Sequence, residues 1–259
     1  QRLRENEARV AGELAAARRI QLGSLPDAKK LFADEKRFSL AALLEPARDV
    51  GGDLYDFFML DERRLCFIIG DVSGKGVPAS LFMATTRTLA RSIALRMDEG
   101  AGAVVSAANR ELAWENAEFL FVTLLFGVLD VERGELALVN AGHDGPWRLA
   151  TDGTVTQITC PPEAGGPPLC VLDDHHYTAQ TLQLSPGDTL CLVTDGITEA
   201  FDAKGQAYGS ERLTQVLRAL PPGCPPQEVM RQVRSDVASH TGDTEATDDL
   251  TLLVLRWGA

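Results

Sequence analysis

Short apolar runs separated by turn-forming residues dominate the chain from about residue 38 onward. Runs of this length, bounded by glycine, proline or acidic residues, are typical of β-strands. They predict ten strands, at 38–45, 54–60, 64–70, 121–130, 134–140, 146–150, 154–159, 178–184, 188–194 and 249–256. Residues 61 and 62 connect the second and third runs, and residues 132–134 connect the fourth and fifth, so both pairs are predicted β-hairpins.

Other segments carry apolar residues at helical spacing and predict five helices. These helices are predicted at 1–22, 78–97, 102–116, 209–219 and 226–240. The resulting order is strands, a helix pair, many strands, a second helix pair and a last strand. This order differs from the alternating pattern of a doubly wound parallel sheet. It predicts an α+β fold with antiparallel sheets and with helices on their outer faces.

The two central helices have apolar faces that are predicted to pack on a sheet. The helix at 78–97 begins with Pro78, a residue favoured in the first turn. Its predicted buried face consists of Leu81, Phe82, Thr85, Leu89 and Ile93. The predicted buried face of the helix at 102–116 consists of Val104, Val105, Ala108 and Leu112.

The N-terminal helix carries a narrow apolar stripe that is too short and irregular to establish a coiled coil. The stripe consists of Leu3, Val10, Leu14, Ala17 and Ile20. It must be covered by the body of the fold, by a twin chain or by an upstream domain. The turn GSLPD at 23–27 ends the helix. Because the sequence begins with Gln1 rather than methionine, we expect it to be a piece of a longer protein.

The chain has 259 residues and a net charge of −12, which disfavours a nucleic-acid-binding role because such domains usually carry a basic patch. The sequence contains no apolar run long enough for a membrane span, and its first residues include no apolar segment of the kind found in secretory leaders. Its five cysteines include no CxxC pair. We therefore expect free thiols in a reducing cytoplasm.

Acidic residues cluster beside glycine at four predicted strand ends. The clusters contain Asp53 with Asp56, Asp71, Asp195, and the pair Asp248 and Asp249. Carboxylates that converge from buried strand ends repel each other unless cations neutralise them. Sites made only of oxygen ligands suit Mg²⁺ or Mn²⁺.

Two simpler interpretations of these clusters remain open at this point. An aspartate followed by glycine at a strand end is most often only a turn signal, although four such clusters are hard to explain in this way. The segment GDVSGKG at 70–76 could instead be a phosphate loop. However, it has three residues between its first two glycines where a nucleotide-binding loop has four, which disfavours a nucleotide-dependent kinase.

Six motifs occur in an order that resembles one family. They are RDVGGDLYD (48–56), GDVSGKGVPASLFMA (70–84), FVTLLFGVLD (121–130), NAGHDGPW (140–147), LVTDGITEA (192–200) and DDLTLLVL (248–255). Together they resemble the metal-dependent protein serine/threonine phosphatases of the phosphatase 2C-like group, in the bacterial SpoIIE/RsbU-type branch. The resemblance implies two antiparallel β-sheets packed as a sandwich with helices on both outer faces. It also implies two Mn²⁺ or Mg²⁺ ions that activate a water for attack on phosphoserine or phosphothreonine.

The resemblance further implies roles for particular residues. Asp71 would bridge both metals, with the Val72 carbonyl as a further ligand. Asp195 and the pair at 248–249 would hold one metal, and either Asp248 or Asp249 would be the direct ligand, with the motif position favouring Asp248. Catalysis would depend on this carboxylate set.

The second metal would be held by Asp53, directly or through water, and Arg48 would bind the substrate phosphate or be an ordinary surface arginine. Many relatives carry a histidine two residues after the bridging aspartate. This sequence has Ser73 there, so the general acid stays unassigned. We expect His143 to fix a turn by hydrogen bonding, and we expect the tryptophans Trp114, Trp147 and Trp257 to serve in packing.

The resemblance implies that a phosphorylated STAS-type anti-sigma-factor antagonist is the substrate. We expect residues 1–27 to be a signalling helix that links an upstream sensor to a phosphatase domain at 28–259, with a possible homodimer through that helix. The alternative is a non-catalytic partner-binding domain of the same fold, which the complete carboxylate set disfavours.

Overall fold

A computed structural model describes residues 2–114 and 116–258 and places two five-stranded antiparallel sheets face to face. The strands are β1 (Phe38–Glu45), β2 (Leu54–Met59), β3 (Arg64–Val72), β4 (Val122–Asp130), β5 (Glu135–Ala141), β6 (Trp147–Leu149), β7 (Val155–Gln157), β8 (Gln180–Gln183), β9 (Thr189–Val193) and β10 (Leu250–Trp257). The first sheet has the order β1-β10-β9-β6-β7, and the second has the order β2-β3-β4-β5-β8. All ten predicted strands and both predicted hairpins are confirmed.

Seven helices lie in the part of the chain that the structure describes. They are α1 (Arg2–Ser24), α2 (Ala28–Leu31), α3 (Val77–Ala94), α4 (Ala101–Trp114), α5 (Asp195–Thr198), α6 (Gly209–Ala219) and α7 (Pro226–Thr241). The short helices α2 and α5 were not predicted. Residues 1, 115 and 259, which fall in the predicted segments 1–22, 102–116 and 28–259, lie outside the described residues.

The core between the two sheets is made of large side chains from their inner faces. Phe57, Phe67 and Leu125 of the second sheet pack toward Leu190 and Leu253 of the first, and all five are fully buried. Full burial of each such side chain contributes about 1.5–3 kcal/mol. This apolar layer holds the two sheets in one arrangement, so strand ends from both sheets meet at the same edge.

Helices cover the outer face of each sheet and complete the four layers. α3 and α4 pack on the second sheet, whereas α6 and α7 pack on the first. The predicted α+β sandwich with flanking helices is therefore confirmed. The apolar face predicted for the helix at 102–116 is also confirmed, because all four of its residues are buried in α4.

The buried face of α3 agrees only in part with the predicted one, since Ile93 is buried and Phe82 and Leu89 pack against the core. Leu81 is 65% exposed and Thr85 is exposed, while small residues such as Ala79 and Ala90 are buried. α3 packs against β2, β3 and α4 at once. Ala79 and Ala90 allow this close approach, and the larger Leu81 lies on the outer side of the helix.

The stripe of α1 is not covered by the body of the fold. Leu3, Val10 and Ile20 are exposed, and the helix buries only Gln21, near its C-terminal end. No helix among residues 2–114 and 116–258 is long and apolar enough to cross a membrane.

The cysteines and tryptophans differ in how deeply they are buried. All five cysteines are free thiols, and Cys66 and Cys191 are fully buried in strands. Trp147 and Trp257 are buried, as expected for packing residues. The prediction for Trp114 was wrong, because its side chain is 87% exposed at the end of α4.

Candidate active site

The second sheet contributes Asp71 and Val72 at the end of β3. The loop 46–53 approaches them closely because it contains Gly52. A Cβ atom on Gly52 would lie 2.8 Å from the Val72 carbonyl oxygen and 3.4 Å from Oδ1 of Asp71. Glycine therefore permits an approach to the acidic strand end that a side chain would block.

Asp53 lies in the same loop and is buried between the sheets. Its Oδ2 accepts a hydrogen bond of 2.7 Å from the hydroxyl of Thr194, which comes directly after β9. The Thr194 oxygen in turn accepts the backbone N–H of Thr251 in β10 at 3.1 Å. Asp53 is thus positioned by the first sheet although the loop that carries it leads into the second. Sequence reasoning missed Thr194, which directly precedes the predicted site residue Asp195.

The first sheet contributes Asp195 and Asp248. Asp195 begins α5 at the end of β9, and Asp248 lies just before β10. Gly196 lets these segments pack together, because a Cβ atom there would lie 1.9 Å from the backbone oxygen of Asp249. Both carboxylates face the edge where Asp71 lies, and the charge of each raises the pKa of Asp71.

Asp249 points in a different direction from Asp248, and its carboxylate forms hydrogen bonds with the loop 46–53. Its Oδ1 accepts the N–H of Ala47 at 2.8 Å, and its Oδ2 accepts the N–H of Gly52 at 2.7 Å. Backbone donors therefore occupy both oxygens of this buried carboxylate. Asp248 keeps a partly exposed carboxylate at the mouth of the site.

Burial and mutual repulsion raise the pKa values of the grouped carboxyls. Burial raises the pKa of Asp53 well above its ordinary value, and the charge of Asp71 adds to that effect. Burial has the largest effect on Asp71 and the charge of Asp195 has the second largest, and together they raise its pKa to about 7. The pKa of Asp195 is raised by burial and by Asp248. A cation placed among these groups would reverse these shifts.

The donor chemistry of the group fits a hard divalent cation, since every side chain in it offers carboxylate oxygen. Among residues 2–114 and 116–258, no three acidic, histidine or cysteine side chains already surround one point as a closed ligand set. The carboxylates therefore lie close enough to raise each other's pKa values without enclosing a single point. The structure thus brings Asp53, Asp71, Asp195 and Asp248 to one edge of the sandwich.

Two basic side chains lie at the mouth of this edge. The Nζ of Lys75 donates to Oδ2 of Asp248 at 2.9 Å and to the carbonyl oxygen of Thr247 at 2.6 Å. Arg48 is exposed, lines the same small cleft and has no side-chain ion pair with the residues that the structure describes. Lys75 was considered in the sequence only as part of a phosphate loop, and its pairing with Asp248 was not foreseen.

His143 joins the two sheets rather than fixing a turn. The turn is held by the Asn140 side chain, which bonds the backbone of His143 at both its N–H and its carbonyl. The imidazole Nε2 lies 3.0 Å from the Val193 carbonyl and Nδ1 lies 2.9 Å from the hydroxyl of Thr123. A carbonyl only accepts, so Nε2 carries the proton and Nδ1 accepts from Thr123. The ring thus connects β4, opposite Asp71, with β9.

Asp56 and Ser73 are directed away from the carboxylates. Asp56 is fully buried and pairs with Arg91 of α3 at 2.8 Å, with Arg87 at 3.9 Å. The hydroxyl of Ser73 accepts the backbone N–H of Phe121 at 2.9 Å. Asp56 therefore anchors α3 to β2, and Ser73 ties its loop to the start of β4.

The C-terminal end of α1 forms hydrogen bonds with the loop 46–53. Gln21 donates to the Gly51 carbonyl at 2.7 Å and accepts the Gly51 N–H at 3.2 Å. Arg18 donates to the Arg48 carbonyl at 2.7 Å. The N-terminal helix is thus in direct contact with the segment that carries Arg48 and Asp53. Sequence reasoning missed this contact because the two segments are 30 residues apart.

The family described as Stage II sporulation protein E (SpoIIE) matches residues 61–258, which include Asp71, Asp195 and Asp248. The chain belongs to the SpoIIE family. This membership places it in the SpoIIE/RsbU branch of phosphatase 2C-like domains that the six sequence motifs predicted.

Similar sequences include two bacterial proteins. Protein IcfG of Synechocystis sp. is 29% identical over 269 residues, which cover 94% of this chain and 41% of IcfG. Phosphoserine phosphatase RsbU of Bacillus subtilis is 26% identical over 223 residues, which cover 86% of this chain and 64% of RsbU. The chain therefore spans between about two fifths and just under two thirds of the length of these curated relatives.

Similar solved structures share the fold of this SpoIIE-family chain. The SiaA-PP2C domain of Pseudomonas aeruginosa superposes with a TM-score of 0.80 at 22% identity, covering 97% of this chain and 98% of that domain. The PP2C phosphatase domain of SpoIIE from Bacillus subtilis, with a fragment of its regulatory domain, gives 0.72 at 20% identity. That match covers 85% of this chain and 63% of the SpoIIE chain.

Proposed function

We propose that this SpoIIE-family chain is a Mn²⁺- or Mg²⁺-dependent protein serine/threonine phosphatase. The observation that carries the proposal is the convergence of Asp53, Asp71, Asp195 and Asp248 from both sheets, with raised pKa values for the first three. Such a group is costly in a protein without cations, and it is well suited to holding them. The relative RsbU, whose name is phosphoserine phosphatase, and the structure of RsbX in complex with magnesium support the same chemistry.

In this proposal two divalent ions are held by the four carboxylates and by the Val72 carbonyl. Bound there, the ions would supply the Lewis acidity that activates a water and neutralises phosphate charge. The Asp249 carboxylate holds the loop 46–53 in place through the hydrogen bonds that it accepts from backbone N–H groups of that loop. Arg48, exposed at the mouth, binds the substrate phosphate through its planar guanidinium.

The proposed substrate is a phosphorylated STAS-type anti-sigma-factor antagonist, and the proposed location is the reducing cytoplasm. The five free thiols support that location. We further propose that residues 1–27 connect the phosphatase domain at 28–259 to an upstream sensor. The exposed apolar positions Leu3, Val10 and Ile20 of α1 support contact with a sensor or with a second copy of the chain.

Phosphate release in the presence of Mn²⁺ tests the proposal. The probes are p-nitrophenyl phosphate and a phosphoserine peptide, and Asp71→Asn and Asp195→Asn are compared with the unchanged chain. We expect both variants to lose at least about a hundredfold in kcat/KM, because each removes a charge that neutralises and positions the ions. Activity that survives complete chelation would contradict the metal mechanism. Binding of Mn²⁺ without any turnover would favour the non-catalytic partner-binding domain.

A further inference from the structure

A half-open cavity of about 270 Å³ lies beside the carboxylate group, on the side of the first sheet. Its walls come from α5 and the residues after it, from the last turns of α7, and from the segment that leads into β10. The lining is mainly apolar, with Phe201, Val237, Ala238 and Leu250 among its residues. None of the roles assigned above uses this cavity.

The cavity is continuous with the candidate active site. Asp248 lines both of them, and Gly196, which follows Asp195, also lines the cavity. A phosphate held at the carboxylates would therefore place the attached chain directly at the opening. In an extended chain, residues two apart point to the same side with a spacing of about 7 Å.

The size and chemistry of the cavity favour one kind of occupant. Pockets for drug-sized ligands usually have volumes of about 300–1,000 Å³, so this cavity suits one or two side chains better than a whole metabolite. Its rim holds the ion pair between Arg234 and Glu45, and the exposed Glu245 adds a negative charge, so the rim disfavours an acidic side chain. The larger part of the lining surface is apolar, and Phe201, Val237 and Leu250 contribute to it.

We propose that this cavity binds an apolar side chain of the protein substrate, located within about two residues of the phosphoserine. The inference rests on the proposed phosphatase function and specifies its substrate. It makes the residues around Phe201 and Ala238 a specificity site, separate from the carboxylates that carry out the chemistry.

Ala238 offers a direct way to close the cavity. It is exposed on α7 and lines the cavity, so a phenylalanine there would fill space without disturbing the core. The next residue, Ser239, is also exposed but lines a separate groove between α6 and α7. Ala238→Phe and Ser239→Phe therefore form a matched pair on one helix.

The experiment uses synthetic phosphoserine peptides with a polar background, in which leucine or glycine is placed in turn at each position from −3 to +3. For the unchanged chain in Mn²⁺, we expect leucine at one position within two residues to raise kcat/KM about tenfold over glycine, as burial of one large side chain implies. In Ala238→Phe this ratio should fall to near one, whereas Ser239→Phe should keep it. Turnover of p-nitrophenyl phosphate should be the same in all three proteins.

Two results would overturn the inference while leaving the phosphatase proposal standing. One is turnover of the peptides with no preference for leucine at any position, which is also the result expected if a small molecule or a second copy occupies the cavity. The other is a leucine preference that persists in Ala238→Phe. Absence of Mn²⁺-dependent turnover with every probe, p-nitrophenyl phosphate included, would instead overturn the proposed function and this inference with it.

Discussion

The ammonium of Lys75, a residue of the loop that connects β3 to α3, lies 2.9 Å from Oδ2 of Asp248. It also bonds the Thr247 carbonyl, so two oxygen atoms beside the carboxylate group hold one positive charge. Both side chains are partly exposed, which limits the strength of the pair. Lys75 thereby offsets part of the repulsion that the carboxylates exert on each other.

Replacement of Lys75 by methionine is expected to tighten Mn²⁺ binding. The ammonium must leave Asp248 before a cation can take its place, and a partly exposed pair contributes up to about 1 kcal/mol. The dissociation constant should therefore fall about two- to fivefold, as measured by isothermal titration calorimetry without substrate. Lys204→Met, at an exposed position in the turn 202–206, is the control and should leave the constant unchanged. Weaker binding in Lys75→Met would show that the lysine supports the ion instead of competing with it.

Asp71→Asn is expected to stabilise the metal-free protein while removing its response to Mn²⁺. The pKa of Asp71 is raised to about 7 in the folded chain, chiefly by burial, from 3.8. The folded state therefore binds more protons than the unfolded state between pH 4 and 7, and stability falls as the pH rises through this window. At pH 8 the variant should be more stable than the unchanged chain by roughly 1–3 kcal/mol.

Urea unfolding in chelator and in Mn²⁺ measures this effect. The unchanged chain should gain stability when Mn²⁺ is added, because only the folded state assembles the ligands. Asp71→Asn should gain little. Equal stability of the two proteins in chelator at pH 8 would mean that Asp71 bears no repulsion in the folded state.

His143 is expected to make the fold sensitive to acid. Burial lowers its pKa to about 4, whereas an unfolded histidine has a value of 6.5. The unfolded state takes up the proton first, so stability is lost as the pH falls from 6.5 toward 4. Relative to His143→Gln, whose amide can still donate to the Val193 carbonyl, the unchanged chain should lose roughly 2–3 kcal/mol over that range.

The comparison with His143→Gln cancels the titration of the carboxylates, which are present in both proteins. Chemical unfolding at half-unit pH steps supplies the two curves. Parallel curves would show that the imidazole titrates alike in the folded and unfolded chains, contrary to its burial between the sheets.

Gln21→Ala is expected to loosen the loop 46–53. The change leaves the buried N–H and carbonyl of Gly51 without their partners, which costs about 1–3 kcal/mol locally. Hydrogen exchange of the backbone amides in residues 46–53 should accelerate about tenfold or more, and Mn²⁺ should bind more weakly because Asp53 lies in the same loop. Arg9→Ala, which removes only exposed contacts with Glu13 and Asn6 on α1, is the control. Unchanged exchange in Gln21→Ala would show that Gln21 does not restrain the loop.

The sequence was sufficient to predict the ten strands, because each strand is a short apolar run with its own turn signals. It was also sufficient to predict which carboxylates would gather, since Asp71, Asp195 and Asp248 all directly follow or precede such a run. The motif resemblance then predicted the family. These features depend on local sequence patterns, which can be interpreted without knowledge of the packing.

Features that depend on three-dimensional neighbours could not be predicted in this way. The inward face of α3 is chosen by how closely two strands and α4 approach it, which favours Ala79 over Leu81. The contacts between Lys75 and Asp248 and between Gln21 and Gly51 join segments far apart in sequence. Each of these depends on the assembled fold.

The hydrogen bonds from Ala47 and Gly52 to Asp249 determine when the site can form during synthesis of the chain. Because this aspartate is made about 200 residues after the loop it holds, a nascent chain on the ribosome cannot fix Asp53 in place until β10 has emerged. β1, too, lacks its pairing partner until that moment. The carboxylates therefore come together only after β10 has emerged, and a chain interrupted before that strand would carry most of the acidic residues without a formed site.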